Sequence, residues 1–357
     1  MNPEQRITAE IDNYSDSIFA IVGFMNFYRY DDDLRKIRDD VLVFQGRRLT
    51  PSKPKNHDGE DIAFVTPDLG VLLPNDYGVL AEVKRSFPKD TKFWMGDFRQ
   101  LMSYDDDLTG WPSRSQKVDS HDIVLLLHQT RAISVKDFYE QNQAEIKITR
   151  PFCIIEFNRD SEGQEFFFFR TVAGAVSQKS LAERLRKGIP VPMSIYLVQY
   201  STIKLYDASP PLPYLLELIW THIVAFKVSN TPGYKIPSKN QKVKVEVTPD
   251  EICDRLETNF TFHGLHQNHA DGRQPKVVEK NWVREACEAL VKFGDAKWAD
   301  SLKKTLTVNF VKRENILDYF VKQCAKEPNK DDQMELFKAK PAPPTSKSTE
   351  TPDSSPA

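Results

Sequence analysis

The chain has 357 residues, of which 40% are hydrophobic and 11% aromatic, and its 49 Lys and Arg nearly balance 51 Asp and Glu for a formal net charge of −2. That length points to two domains with tails, and the apolar content is enough for packed cores. A mean hydropathy of −0.51 and short apolar runs argue against a membrane span, and near-neutrality excludes global basicity as a route to nucleic acid, leaving local patches.

The four cysteines, Cys153, Cys253, Cys287 and Cys324, are far apart and form no CxxC pair. This argues against a structural zinc and, with no signal peptide evident, for reduced thiols and a cytoplasmic location.

In chain order, residues 3–29 read as a long helix, with Ile7, Ile11, Tyr14, Ile18, Val22 and Met25 at helical spacing. Residues 41–44 suit a strand before a polar loop at 48–60. A strand, a turn at Pro74-Asn75-Asp76-Tyr77-Gly78 and a second strand ending in Ala81-Glu82-Val83-Lys84 follow. Side chains alternate along a strand, so Leu80, Glu82 and Lys84 share one face and Val79, Ala81 and Val83 the other. Pro67-Asp68 opens the first strand, and a hairpin carries its carboxylate back toward Glu82 and Lys84. Two carboxylates beside an amine at a sheet edge suit Mg²⁺, which takes a few carboxylates and keeps several waters. Asp61 is a competing first carboxylate if the register differs.

A helix is expected over residues 97–108, with Asp97 as its N-cap after Gly96. Phe98, Leu101, Met102 and Leu108 gather on one side, while Gln100 and Tyr104, four apart, stack on the other and can face a cleft.

Pro67-Asp68, thirteen intervening residues, Glu82-Val83-Lys84, and then Gln100 and Tyr104 on the next helix closely resemble the active-site signature of the PD-(D/E)XK nuclease superfamily, in its RecB-like branch with a QxxxY element. The resemblance covers roughly residues 60–130. It implies an α/β, restriction-endonuclease-like core with a mixed central sheet flanked by helices. It also implies that Asp68, Glu82 and the Val83 carbonyl hold one or two Mg²⁺ (or Mn²⁺) ions. Lys84 would then be the catalytic lysine that orients or activates water, with Gln100 and Tyr104 as accessory catalytic residues. The activity implied is metal-dependent hydrolysis of DNA phosphodiesters, as an endonuclease in restriction, repair or phage defence. A non-cleaving DNA- or protein-binding module on the same fold is the alternative, and RNA is the alternative substrate. In such folds the first helix often lends an acid to the metal site; Glu10 and Asp12 are the candidates, although solvated helix charge is the preferred reading.

The pentapeptide Tyr-Asp-Asp-Asp-Leu occurs at residues 30–34 and again at 104–108. Neighbours on a helix diverge by 100°, so solvated charge is expected rather than a second metal. His121 to His128 reads as a buried central strand with structural histidines at its ends, followed by a helix near residues 135–144. Residues 152–158 and 165–172 suit a hairpin, with Phe166 to Phe169 covered on both faces. A basic helix at 180–187 and a last strand at 194–206 complete this part.

The Pro-rich run at residues 209–213 marks a boundary, giving a nuclease domain at 1–208, a mainly α domain at 209–326 and a disordered tail at 327–357. In the second domain a helix at 214–226 precedes a Lys-rich connector at 227–245. Thr248, Pro249 and Glu251 then start a helix with a capping box, and a third helix at 278–291 leads to a two-stranded wing within 292–312. That order resembles a winged helix-turn-helix domain. Lys280, Arg284, Lys292, Lys297, Lys303 and Lys304, with Lys312 and Arg313, would meet DNA phosphates. A helical surface that binds a protein partner is the competing use, and a homodimer fits double-strand cleavage. His263, His266 and His269 lie in one loop without the spacing of a zinc site.

Overall fold

The structure is a computed structural model that describes residues 1–29, 38–53, 63–84, 91–113, 115–159, 166–192, 203–230, 242–261 and 276–326. It is mixed α/β, with a curled mixed sheet flanked by helices. Helix α1 (Pro3–Arg29) begins exposed and ends buried on nearly every side from Asp16 to Tyr28. Strands β1 (Leu42–Phe44), β2 (Thr50–Pro51), β3 (Leu69–Leu72) and β4 (Tyr77–Lys84) follow, then α2 (Trp94–Met102), β5 (Leu108–Thr109) and β6 (Ser120–His128). Helix α3 (Gln129–Gln141), β7 (Phe152–Arg159), β8 (Phe166–Gly174), α4 (Lys179–Lys187) and β9 (Ile189–Pro192) complete the first part.

Seven strands form one sheet in the order β1-β3-β4-β6-β7-β8-β9. The β3–β4 turn is short, with Asp76 at φ 54, and a turn that tight can only join antiparallel neighbours. The connections through α2 and α3 are long enough to return the chain to the same edge, so β4, β6 and β7 run parallel. Strand β6 is apolar over Ile123 to Leu127 because both of its faces are covered. On β4, Val79, Ala81 and Val83 pack with α1, whereas Leu80 joins the opposite core with Phe98 and Leu101 of α2. The alternation expected from the sequence therefore holds, and it leaves Glu82 and Lys84 on the α2 side.

After the Pro-rich run, α5 (Leu212–Leu218) continues through a π-helical turn (Ile219–Val224) into α6 (Ala225–Ser229). Strand β10 (Val243–Val247), α7 (Pro249–Phe260), α8 (Lys280–Lys292), β11 (Ala296–Trp298), β12 (Leu306–Phe310) and α9 (Ile316–Ala325) follow. The three strands make an antiparallel sheet in the order β10-β12-β11. A separate hydrophobic cluster gathers Trp220, Leu256, Val283, Leu290, Val308 and Phe320. Among the described residues no helix is long and apolar enough to cross a membrane.

Several local expectations change. Helix α2 starts at Trp94 behind a 3-10 turn (Thr91–Phe93) and stops at Met102, so Asp97 lies in its first turn rather than at the cap. Asp105, Asp106 and Asp107 then fall past the helix end, where they tie loops together. Asp105 accepts from the Thr149 and Arg150 amides (2.8 Å each), Asp106 from the Lys53 amide (2.7 Å), and Asp107 pairs with Arg150 (2.6 Å). On β8 only Phe167 and Phe169 are buried, while Phe168 is 40% exposed, so one face is open. The end of the Lys-rich connector is β10, a strand the charge pattern had masked. Thr248 does cap α7 by accepting from the Glu251 amide at 3.1 Å, but the Glu251 carboxylate turns to Lys227 (2.6 Å) and Arg255 (3.4 Å). Asp61, the first Tyr-Asp-Asp-Asp-Leu copy, most of the expected strand at 194–206, the three loop histidines and the tail lie outside the described residues.

Candidate active site

The site forms where β3, β4 and α2 meet. Leu69 pairs with Ala81, which sets Asp68, one residue earlier, level with Glu82. Asp68 is buried and its Oδ2 accepts the Val83 amide at 2.8 Å. Glu82 is buried too, 4% exposed. Its Oε1 accepts from Lys84 Nζ (3.1 Å) and Gln100 Nε2 (2.8 Å), and its Oε2 accepts from Tyr104 OH (2.7 Å). Lys84 Nζ also donates to Gln100 Oε1 at 3.0 Å and stands 3.7 Å from Asp97 Oδ1. Tyr104 OH lies 3.3 Å from Gln100 Nε2 and 3.3 Å from the Thr66 carbonyl oxygen.

The electrostatics follow from burying these charges together. Burial, and then the Glu82 charge, push the Asp68 carboxyl well above the ordinary aspartate range, against the Val83 amide and Lys84. Burial pulls the Lys84 ammonium down, but Glu82 and Asp68 more than offset it, so Lys84 stays charged with a raised pKa. Burial and the two carboxylates hold Tyr104 well above its usual value, so it remains a hydroxyl donor. Asp97 is raised by burial, with Lys84 opposing.

All five side chains singled out from the sequence, Asp68, Glu82, Lys84, Gln100 and Tyr104, are thus placed together. Gln100 sits on the last turn of α2, and Tyr104 lies two residues beyond its end. Val83 is present through its backbone, its amide held by Asp68. Glu10 and Asp12 are exposed on the open early turns of α1, and Asp12 faces a groove shared with Asp318 and Lys322 of α9. His121 is buried with Nε2 2.7 Å from the Tyr104 carbonyl, its pKa lowered to about 4 chiefly by burial, and His128 caps α3; both are structural.

Sequence reasoning passed over two residues. The Gly96-Asp97 pair signals a helix cap, whereas the spacing of three between Asp97 and Gln100 is the signal for the site. Asp207 follows residues 203–206, the described end of the expected last strand, which form no strand, and no pattern marks it. Its carboxyl is pushed up to about 6 by burial, then by Glu279 and Glu82, with Arg48 opposing. A raised carboxyl stabilises the fold fully below the unfolded aspartate value, and that contribution fades as pH rises toward 6. Asp207→Asn is therefore expected to raise stability at pH 7 by about 1–2 kcal/mol after allowing for partial exposure, with no gain below about pH 4. Denaturant melts across pH 3.5–7.5 check this; a gain that is largest in acid would contradict it.

Could this site hold a metal? Among the described residues no group of three or more His, Cys, Asp and Glu is arranged for one. Two adjacent buried carboxylates remain, with a backbone carbonyl at Val83, and Mg²⁺ is content with one or two carboxylates plus water. The burial and the neighbouring Glu82 charge that lift Asp68 are what a cation would offset, so the donor set fits a hard divalent ion.

The basic residues expected at DNA lie on α8, on β11 and in the turn between β11 and β12. Lys280, Arg284, Lys292, Lys297, Lys303 and Lys304 are exposed. Lys280 pairs with Asp250 (2.7 Å), and Glu288 takes Lys303 (3.0 Å) and Arg284 (3.9 Å). The exposed face of α8 is therefore charge-balanced. Lys312 is exposed, but Arg313 is half-buried, bound to buried Asp295 at 3.0 Å and 3.6 Å above the Tyr319 ring, so its guanidinium is already committed within the second part. Comparison of the chain with family models, with curated proteins and with solved structures finds no match.

Proposed function

We propose that the protein is a metal-dependent nuclease of the PD-(D/E)XK type that hydrolyses DNA phosphodiesters, probing the duplex with its C-terminal part. One observation carries this reading: Lys84, Gln100 and Tyr104 all converge on Glu82, with Asp68 held beside it by the Val83 amide. A surface Glu–Lys pair would need no such buried network, and burying these charges costs stability that a reaction site would explain. The antiparallel β1-β3-β4 meander, followed by parallel β6 across α2, supports the same reading.

Asp68 and Glu82, with the Val83 carbonyl, would hold Mg²⁺ or Mn²⁺. The ion, when bound, supplies a Lewis acid for the phosphate and acidifies a water. Lys84 orients the attacking water and offsets charge on the phosphate as it builds. Gln100 bridges Lys84 and Glu82, so it keeps both in register, and Tyr104 fixes the second oxygen of Glu82, Oε2. The strand–helix–helix–strand–strand order with sheet order β10-β12-β11 supports a winged-helix reading of the second part. An endonuclease in restriction, repair or phage defence, acting as a homodimer in the cytoplasm, is the setting that fits.

The test is incubation with supercoiled and linear DNA in Mg²⁺ or Mn²⁺. Cutting of the circle that is lost in EDTA supports an endonuclease, and no cutting with either ion contradicts the reading. A second reading, a binding module without cleavage, is favoured by the occupancy of both Glu82 oxygens by protein donors; DNA retention on a gel without cutting would select it. If the turn between β11 and β12 meets phosphates, Lys303→Ala with Lys304→Ala should flatten the slope of log affinity against log salt by about 2. An unchanged slope would remove that turn from the interface.

A further inference from the structure

Lys84 has more acceptors than one role requires. Its Nζ lies 3.1 Å from Glu82 Oε1, 3.0 Å from Gln100 Oε1 and 3.7 Å from Asp97 Oδ1. Glu82 Oε1 is also engaged by Gln100, and Oε2 by Tyr104. A divalent ion on Glu82 would meet the Lys84 ammonium at the same oxygen, and two cations so close repel strongly in a buried setting. The ammonium must shift, and with its side chain only 23% exposed it needs a counter-charge inside the pocket. Asp97, 24% exposed on the first turn of α2, is the carboxylate within a small movement.

We infer that Asp97 is the second seat of Lys84: the lysine rests on Glu82 when the site is empty of metal and moves to Asp97 when a divalent ion takes Glu82. Asp97 is thus a positioning residue. It supplies the negative charge that lets an ammonium and a metal ion share one pocket, and it keeps Nζ aimed at the water. Gln100 is the pivot, since its Oε1 can follow Nζ while its Nε2 stays on Glu82. This inference rests on the metal-dependent reading above.

The test uses the full-length protein and Mn²⁺ alone, followed by calorimetry, for wild type, Asp97→Asn, Lys84→Met and the double variant. Asp97→Asn should weaken Mn²⁺ binding about tenfold, because Lys84 then has only Glu82 to rest on. Lys84→Met should bind Mn²⁺ at least as well as wild type. Adding Asp97→Asn to Lys84→Met should change affinity less than twofold, since the charge it seats is gone. Asp97→Glu should recover most of the affinity, which also controls for folding. An unchanged affinity in Asp97→Asn overturns the inference. So does an equal loss in both lysine backgrounds, which would make Asp97 a direct ligand. If wild type binds Mn²⁺ and Asp68→Asn abolishes binding while Asp97→Asn is silent, the inference alone fails. If wild type binds no Mn²⁺ at all, the metal-dependent reading fails and the inference falls with it.

Discussion

Lys84→Ala should lower the rate of DNA cleavage about 10²–10³-fold while leaving DNA affinity within about twofold. The magnitude is that of removing one preorganised charged donor from a buried reaction centre. The expectation comes from placement: Nζ is held beside the carboxylate pair by Glu82 and Gln100, with Asp97 3.7 Å away, so its charge stays in the pocket whichever carboxylate seats it. Binding should survive because the phosphate contacts proposed for the turn between β11 and β12 are remote in sequence and lie in a different hydrophobic unit. Single-turnover cleavage beside a gel-shift titration separates the two quantities. Equal rates in wild type and variant would sink the catalytic role of Lys84. Loss of binding in parallel with rate would make it a substrate contact instead. Lys84→Arg is an informative companion: guanidinium keeps the charge but its planar fork does not fit a seat built for a point charge, so most of the rate should stay lost.

Arg313→Ala should destabilise the second part by about 3–5 kcal/mol, the cost of leaving a buried carboxylate without its cation. Asp295 is 6% exposed, and its two oxygens take Arg313 (3.0 Å) and Tyr319 OH (2.7 Å). The guanidinium also covers the Tyr319 ring, so truncation removes packing as well. Asp295→Asn in the same chain should restore much of the loss, because a neutral amide needs no counter-charge. Chemical denaturation of the single and double variants measures this. A loss under about 1 kcal/mol in Arg313→Ala would show that the pair is a screened surface bridge. The result bears on function, for Arg313 was grouped with the phosphate-binding residues by its place after the wing. Its guanidinium is instead committed to Asp295 and the Tyr319 ring, and the lysines of the turn remain for DNA.

Much of the site was legible in the primary structure because it depends on short-range geometry. The two-residue period of a strand puts Glu82 and Lys84 on one face whatever surrounds them, and the turn at Pro74 to Gly78 returns Asp68 beside them. Four-residue spacing likewise sets Gln100 and Tyr104 on a common side, even though α2 ends before Tyr104. The long α1, the apolar β6 and the capped α7 follow from periodicity and end signals of the same local kind.

What required the folded chain is every partnership between residues far apart. Asp97 points at Lys84 only because α2 begins three residues earlier than its cap signal, rotating that carboxylate onto the site. The Asp105 to Asp107 run became a set of loop ties when residues 149–150 and 52–53 came alongside. Strand β10 exists because β12 offered it an edge, which a Lys-rich sequence does not announce. Asp207 acquired its raised carboxyl from burial by the folded chain, then from Glu279 and Glu82, neither near it in sequence. Backbone sterics decide period and turn residue by residue, so sequence carries them. The charge state and partner of a buried group depend on which distant surface excludes water from it, and only closure of the whole chain decides that.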